Sequence, residues 1–454
     1  MKRISEPMSA KTRSAAMFLI ASIGMLLLAA GCKKKSPTPI EIKQPIKLKL
    51  TKTTDGLTPL SDSVYFHFNK KITVNSFRSL YTLCVPANQE EPVYVDDHHG
   101  FKVKYPCASL GMTFPFEYSV TDEEGETLID TVEISYYTKK FSLQDASIPN
   151  MVVTDDNKSV WLTTITDNMD RFRLLKIDLG SFEVKIDVAI PDIPANLTIN
   201  PYNHLIYICS NYNKPQIFVL SPEDGHLVKT IEMKPIPGDN EVYPNLNPGN
   251  LIFTRSGFGV LNAGYGWKVL DSSKNDTIYY HKDTDPVTDT YFGIKSPQLT
   301  NDKKDILGYW EYLGTVIING DTQEVTPFNA PRSEEGLNWT DFFANKVNNL
   351  MFASHWDGQL FDSKTGWISP ISYPGLRPWG FTYREHEELY LLGVTQEREE
   401  KLVLFNYASG EEIFSFPAHP EMVLLDNTSD GKYYLFATSR DLYLFDEQMF
   451  PGRG

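Results

Sequence analysis

Three groups of side chains could carry chemistry in this chain of 454 residues. Asp283, Asp285 and Asp289, in the segment DTDPVTD, offer the hard oxygen ligands that calcium prefers. Pro286 interrupts them, and the glycine and closing glutamate of an EF-hand loop are absent. Asp96-Asp97-His98-His99 sets carboxylates beside imidazoles. Zinc sites gather ligands from separated segments at defined spacing. No matching segment stands out, and Gly100 follows at once, so the expectation is an exposed turn between two strands. His355-Trp356-Asp357 places an imidazole two residues from a carboxylate, enough for an acid–base pair, although a lone histidine is more often structural. No G-x-S-x-G, H-E-x-x-H or glycine-rich phosphate loop occurs. No catalytic residue, metal or cofactor is therefore assigned. The chain does have aromatic side chains with cations among them, and whether these meet depends on the elements that carry them.

Composition sets the frame. Hydrophobic residues make up 41% and aromatics 13%, enough for packed cores. The 29 prolines and 28 glycines are spread along the chain, as many short strands and turns require. A formal net charge of −15 argues against a nucleic-acid partner, because phosphate binding needs a basic surface.

The segment Leu197–Ile231 reads as four short strands in succession. LTI leads to a polar turn, LIYIC and QIFVL are apolar strands, SPEDG is a turn, and LVKTI is the last strand. A unit this small cannot bury its own faces. Its third strand recurs as an apolar run ending in Asp, Asn or Ser, at Asp178, Ser221, Asp271, Asn319, Asp362, Asn406 and Asp446. The intervals of 43, 50, 48, 43, 44 and 40 residues match the period of propeller blades. The turn after that strand recurs as SPEDG, DSKTG and NYASG, in which a short polar side chain bonds the following backbone and Gly accepts positive φ. A second polar turn precedes the second strand, at Thr154–Ser159, Asn200–Asn203, Asn301–Asp305, Asn345–Asn349 and Asp426–Lys432. Only eight residues follow Asp446, too few for a fourth strand, and an open sheet edge would expose unpaired backbone. The strand-like KKFSLQ, Lys139–Gln144, is expected to complete the last blade. The whole unit resembles the YVTN-type bacterial β-propeller repeat.

Seven blades assign the aromatic residues to one end of the ring. The connections between second and third strands contain Tyr212, Tyr265, Trp310, Tyr312, His355 and Trp356. Those joining blades contain Tyr291, Arg332, Trp339, Arg377 and Trp379. Such rings supply contact area at low entropic cost, suited to stacking on a sugar or holding a peptide. The bland alternative is that most of them pack between blades.

Before the ring, short alternating strands run from about Pro45. Ile46–Thr51, Ser63–Phe68 and Phe101–Cys107 are the clearest. A final hairpin carries Tyr118 and Val120, a DEEG turn, then Ile129, Val132 and Ile134. This resembles the last hairpin of bacterial Ig-like and PKD-like domains, and the length suits a sandwich. Cys84 and Cys107 fall here and could form a disulfide in an oxidising compartment or stay as free thiols. Cys209, inside LIYIC, is expected to be an inert core residue.

The N-terminus has a basic start and an apolar run from Ala15 ending in Leu28-Ala29-Ala30-Gly31-Cys32. It resembles a bacterial lipoprotein signal, which implies lipidation of Cys32. The run is short for a spanning helix. No Asp follows the cysteine, and such an Asp resembles inner-membrane retention, so the outer membrane is the expected address, on its periplasmic or surface side.

The expected all-β architecture is thus a signal peptide over 1–31, a tether over 32–44, an Ig-like β-sandwich over 45–138 and a seven-bladed β-propeller over 139–454. The expected function is non-catalytic binding of a protein or glycan partner by a propeller anchored to a membrane through its lipid. A propeller lyase or hydrolase acting on glycans is the alternative, and an assembly factor for outer-membrane proteins a third.

Overall fold

A computed structural model describes residues 46–54, 60–61, 63–80, 91–105, 107–210, 215–233, 250–262, 267–281, 295–310, 314–328, 341–346, 348–354, 357–374, 378–384, 389–396, 399–406, 409, 411–419, 421–422 and 424–450. The chain is all-β.

The first seven strands are β1 (Leu50–Thr53), β2 (Ser63–Phe68), β3 (Ile72–Ser79), β4 (Val93–Val95), β5 (Gly100–Lys104), β6 (Thr113–Asp122) and β7 (Thr127–Ser135). They form two antiparallel sheets, in the orders β1-β2-β5-β4 and β3-β6-β7. Alternation decides which side chains face inward. Strand β2 buries Val64, Phe66 and Phe68, and β6 buries Phe114, Phe116, Tyr118 and Val120. The two sets share one core, where Phe66 meets Tyr118 at 5.5 Å and Phe116 edge-on at 6.4 Å between ring centroids. The DEEG turn is held by buried Asp122, which accepts the amides of Glu124 (3.0 Å) and Glu126 (2.8 Å). Its other oxygen accepts Lys70 Nζ at 2.7 Å, and this bond holds the carboxyl below the usual range despite its burial.

Three details differ from expectation. Strand β1 begins at Leu50 rather than Ile46. Ile129 is 69% exposed, because it lies on the face opposite Leu128, Val132 and Ile134, which pack on the core. Strand β3 was not anticipated: a bulge between Val74 and Ser76 breaks its alternation, so its apolar residues do not fall on every second position.

The chain continues through β8 (Lys139–Ser142) into the blades. Blade 1 holds β9 (Ala146–Val153), β10 (Ser159–Thr166), β11 (Phe172–Asp178) and β12 (Val184–Ile190). Blade 2 holds β13 (Pro194–Ile199), β14 (Ile206–Ser210), β15 (Gln216–Leu220) and β16 (Leu227–Glu232). Blade 3 holds β17 (Leu251–Phe253), β18 (Phe258–Asn262), β19 (Trp267–Asp271) and β20 (Thr277–His281). Blade 4 holds β21 (Lys295–Leu299), β22 (Asp305–Trp310), β23 (Gly314–Asn319) and β24 (Val325–Pro327). Blade 5 holds β25 (Asp341–Ala344), β26 (Leu350–Ser354), β27 (Asp357–Asp362) and β28 (Ile368–Pro374). Blade 6 holds β29 (Pro378–Arg384), β30 (Leu389–Gln396), β31 (Glu399–Asn406) and β32 (Glu412–Pro417). Blade 7 holds β33 (Leu424–Asn427), β34 (Tyr433–Ala437) and β35 (Asp441–Asp446).

Among the described residues these make seven four-stranded antiparallel sheets, the last in the order β33-β34-β35-β8. The first strands touch in a closed cycle, β9 to β13, β17, β21, β25, β29, β33 and back to β9. That cycle makes the sheets the blades of a propeller around a central channel. Strand β8 supplies the missing fourth strand of blade 7, as expected, with Phe141 opposite Leu442.

In blades 1 to 5 the turn after the third strand follows one rule, whereas in blade 7 the corresponding Phe450 is extended. The residue four positions beyond the strand's terminal Asp, Asn or Ser is left-handed. It is Phe182, Gly225, Asn275, Gln323 and Gly366 in blades 1 to 5, with φ of 59, 74, 59, 63 and 69°. The terminal side chain caps the turn with or without Gly: Asn319 Oδ1 accepts the amides of Asp321 (3.0 Å) and Thr322 (2.8 Å), and Asp362 Oδ1 those of Lys364 (2.9 Å) and Thr365 (2.7 Å). Blades 2 and 3 are also tied by a buried cluster. Tyr207 donates its hydroxyl to Asp276 at 2.8 Å, and Asp276 pairs with Lys229 at 2.5 Å.

Sandwich and ring share one continuous core. Leu402, Phe416, Met422, Tyr443 and Phe450 belong to the same cluster as Phe66 and Tyr118. Tyr136 packs on Phe416 at 5.6 Å and Tyr137 on Tyr443 at 5.4 Å. Backbone bonds cross the joint, Leu110 donating to Pro417 O at 2.8 Å and His419 donating to Leu110 O at 3.0 Å. Gly111, at φ 78°, takes a left-handed conformation beside Met422 and Tyr443 that favours glycine. Scanning calorimetry should therefore show sandwich and ring unfolding in a single transition. Phe416→Ala should lower the stability of both together by about 3–5 kcal/mol; two separate transitions, with only one displaced, would contradict the shared core.

Candidate binding site

The first-to-second turns of four blades are built alike. Thr154, Thr254, Thr300 and Thr428 each donate their amide to the carbonyl that closes the turn, Ser159 (2.9 Å), Phe258 (2.8 Å), Asp305 (3.0 Å) and Tyr433 (3.0 Å). Three residues further on, Asn157, Gly257, Lys303 and Gly431 are left-handed, with φ of 58, 86, 55 and 68°. Each donates its amide back to the threonine carbonyl, at 2.9, 3.0, 2.8 and 3.0 Å. Two of the threonine hydroxyls then cap a carboxylate two residues on. Thr154 donates to Asp156 at 2.6 Å and Thr300 to Asp302 at 2.9 Å. Burial would raise the pKa of both acids, yet these hydroxyls and the amides of Lys158 and Lys304 keep them below the usual carboxylate range.

At this end of the ring the channel holds a cavity of about 460 Å³. Its walls combine apolar side chains from four blades, Val153, Ile252, Leu299 and Ala344, with the amides and hydroxyls of Asn157, Gln298, Asn301, Asn427 and Ser429. Three charged residues complete it: Asp155, Lys303 and Lys346. Lys303 pairs with Asp155, which joins blade 4 to blade 1 across the ring. Lys346 of blade 5 pairs with Asp426 of blade 7, passing over blade 6. Asp426 also accepts the Val153 amide at 3.0 Å. Asn157 and Ser429 close the seam between blades 1 and 7, Asn157 Nδ2 donating at 2.9 Å and the Ser429 amide returning a bond of 2.8 Å. The arrangement can grip a small ligand by shape, by amide hydrogen bonds and by charge.

Sequence reasoning read these turns as punctuation and did not mark them as a site. A signal was present: TDDN, TRSG, TNDK and TSDG share a threonine, then Asp or Ser two positions on, at the same place in four repeats.

Tyr212, Tyr265, Tyr312, Trp339, His355, Trp356 and Arg377, with Tyr291 and Arg332, lie outside the described residues. Trp310 closes β22 and Trp379 is the second residue of β29, but their side chains are outside the description. The described residues therefore bring no two of these side chains together. Cys32, Cys84, Asp283, Asp285 and Asp289 also fall outside them. Asp96–His99 is a turn, as expected, with Asp96, Asp97 and His98 left-handed. Asp96 meets His67 Nδ1 at 2.9 Å and Asp97 meets Lys71 at 2.5 Å. Among the described residues no group of three or more His, Cys, Asp or Glu side chains could hold a metal ion. Cys107 is disulfide-bonded, and its partner is outside the described residues. Cys209 is a buried free thiol whose pKa burial pushes well up.

No family model matches the chain, and no curated protein matches it. Among solved structures, it is similar to the dihydro-heme d1 dehydrogenase NirN, at 11% identity and a TM-score of 0.44, over 71% of this chain and 66% of that one. It is similar to the β-propeller domain of Cps50 (Swd1) from Myceliophteria thermophila, at 8% identity and a TM-score of 0.49, over 67% and 99% of the two chains. It is also similar to the hydrazine synthase of Kuenenia stuttgartiensis, at 10% identity and a TM-score of 0.46, over 67% and 97%. The chain thus spans just under two thirds of the dehydrogenase.

Peptide mapping without reduction should find Cys107 linked to the peptide that carries Cys84. Cys209 should resist thiol alkylation until the protein unfolds. A Cys107 peptide joined to any other cysteine, or Cys209 labelled in the native state, would contradict the assignment.

Proposed function

We propose that the chain is an envelope lipoprotein, anchored through Cys32, whose propeller binds a protein or glycan partner without transforming it. The observation that carries this reading is the closed ring of seven blades, which gathers the blade connections onto two faces. The sandwich is an Ig-like spacer in this reading. Its strand orders β1-β2-β5-β4 and β3-β6-β7 correspond to the ABED and CFG sheets of constant-type immunoglobulin domains. Because sandwich and ring share a core, the spacer would present the ring in a fixed orientation.

The partner face in this proposal is the end opposite the cavity. In an antiparallel blade, the connection between second and third strands emerges at the same end as the connection to the next blade. Tyr212, Tyr265 and Trp356 fall in sequence in the first kind, and Trp339 and Arg377 in the second. Aromatic rings and arginine there fit a sugar or a peptide. The address is the outer membrane, on its periplasmic or surface side.

Two measurements test the proposal. Metabolic labelling with an alkyne fatty acid should mark the chain, and Cys32→Ser should abolish the label. Pulldown of the full chain from detergent-solubilised envelope, beside a glycan array, should capture a partner. A Trp339→Ala, Trp356→Ala double variant should lose most of that capture. Undiminished capture by the variant would move the partner off this face, and cleavage of a bound glycan by the pure protein would replace binding with catalysis.

A further inference from the structure

The chain is strongly acidic, at a formal −15, yet the cavity lining holds two cations against one carboxylate. Each lysine is now paired with a carboxylate, and low-dielectric walls strengthen its field toward an anion once that carboxylate is displaced. Neither lysine is locked. Lys303 is 36% exposed and its partner Asp155 is 51% exposed, and an ion pair so open to water is weak. Lys346 is also 36% exposed. Its partner Asp426 lies outside the lining and keeps the amides of Val153 (3.0 Å) and Asn427 (2.8 Å) if the lysine turns away. Lys303 can therefore exchange its carboxylate readily, and Lys346 can do so against a partner that is only 15% exposed but keeps two amide donors. Beneath them, Val153, Ile252 and Leu299 offer an apolar surface from three blades. At about 460 Å³ the cavity lies in the small half of the range usual for small-molecule sites, roughly 300–1,000 Å³.

We infer that this cavity binds a small organic carboxylate, its short apolar body against Val153, Ile252 and Leu299 and its head taken by Lys303 and Lys346 in place of their present partners. This goes beyond the partner face proposed above, which occupies the other end of the ring. A single negative head can stand in for the carboxylate that either lysine now holds. A neutral analogue would leave the ion pairs unbroken and gain only the apolar contact, and a cationic one would meet two lysines. Asp155 competes with the ligand for Lys303, so removing its charge should tighten binding.

The test uses the full chain in one detergent and three probes with the same body: hexanoate, hexanol and hexylamine, followed by ligand-observed NMR. Hexanoate should bind at least about tenfold more tightly than hexanol, the effect of one charge-assisted hydrogen bond, and hexylamine should be weakest. A Lys303→Gln, Lys346→Gln double variant should lose about tenfold for hexanoate and nothing for hexanol. Asp155→Asn should tighten hexanoate. Equal binding of acid and alcohol, preference for the amine, or hexanoate binding unchanged in the double variant would overturn the inference. Circular dichroism checks the fold. If the double variant does not fold, Asp155→Asn decides: tighter hexanoate supports the inference, and unchanged or weaker binding refutes it. Loss of partner capture at the opposite face would leave these outcomes untouched.

Discussion

The structure depends on one piece of backbone pairing. Residues 139–142 leave the sandwich and lie against β35, so that a strand from the start of the ring completes a sheet from its end. Thr138 donates to Leu444 O at 2.8 Å on one side and Leu143 to Arg440 O at 2.9 Å on the other. Without this strand, β35 would present an open edge, and blade 7 would be held to blade 1 by packing and scattered hydrogen bonds such as Ile148 N–H to Ser439 O and the Asn157–Ser429 pair, not by a shared sheet. With it, the first and last strands of the ring share a sheet, and opening the ring requires breaking that sheet.

Two consequences follow from where the closing strand sits. It comes straight out of β7, so the sandwich is delivered onto blades 6 and 7, and the apolar surfaces of Tyr136, Phe416 and Tyr443 fuse there into one core. Closure also fixes the distances across the channel. The pairs Lys303–Asp155 and Lys346–Asp426 join blades that are not neighbours, and they exist only because the circle is complete. The cavity is thus a product of the ring's geometry and of no single blade.

This explains what the sequence could disclose. The third strands were legible because each is a buried apolar run stopped by Asp, Asn or Ser, and that repeat survives wide variation elsewhere. The closing strand was legible because Lys139–Gln144 reads as a strand just ahead of the first blade. Some turns were partly hidden because Phe182, Asn275 and Gln323 take the left-handed position that Gly225 and Gly366 mark openly. Strand β3 was hidden by its bulge, and the orientation of Ile129 by reading three apolar residues without fixing their parity. The cavity was the least legible feature. Lys303 and Asp155 are 148 positions apart, and nothing local to either foretells that they meet. The aromatic residues drew attention because they are chemically conspicuous, whereas Thr-x-Asp turns look like ordinary solvent-facing punctuation.

Hydrogen exchange of the peptide spanning Thr138 to Leu143 tests ring closure most directly. If that strand seals the ring, its amides should be as protected as those of β34 and should exchange only when the whole unit unfolds. Exchange at the rate of a fraying edge, while the other blades stay protected, would show that the ring is not closed in this way.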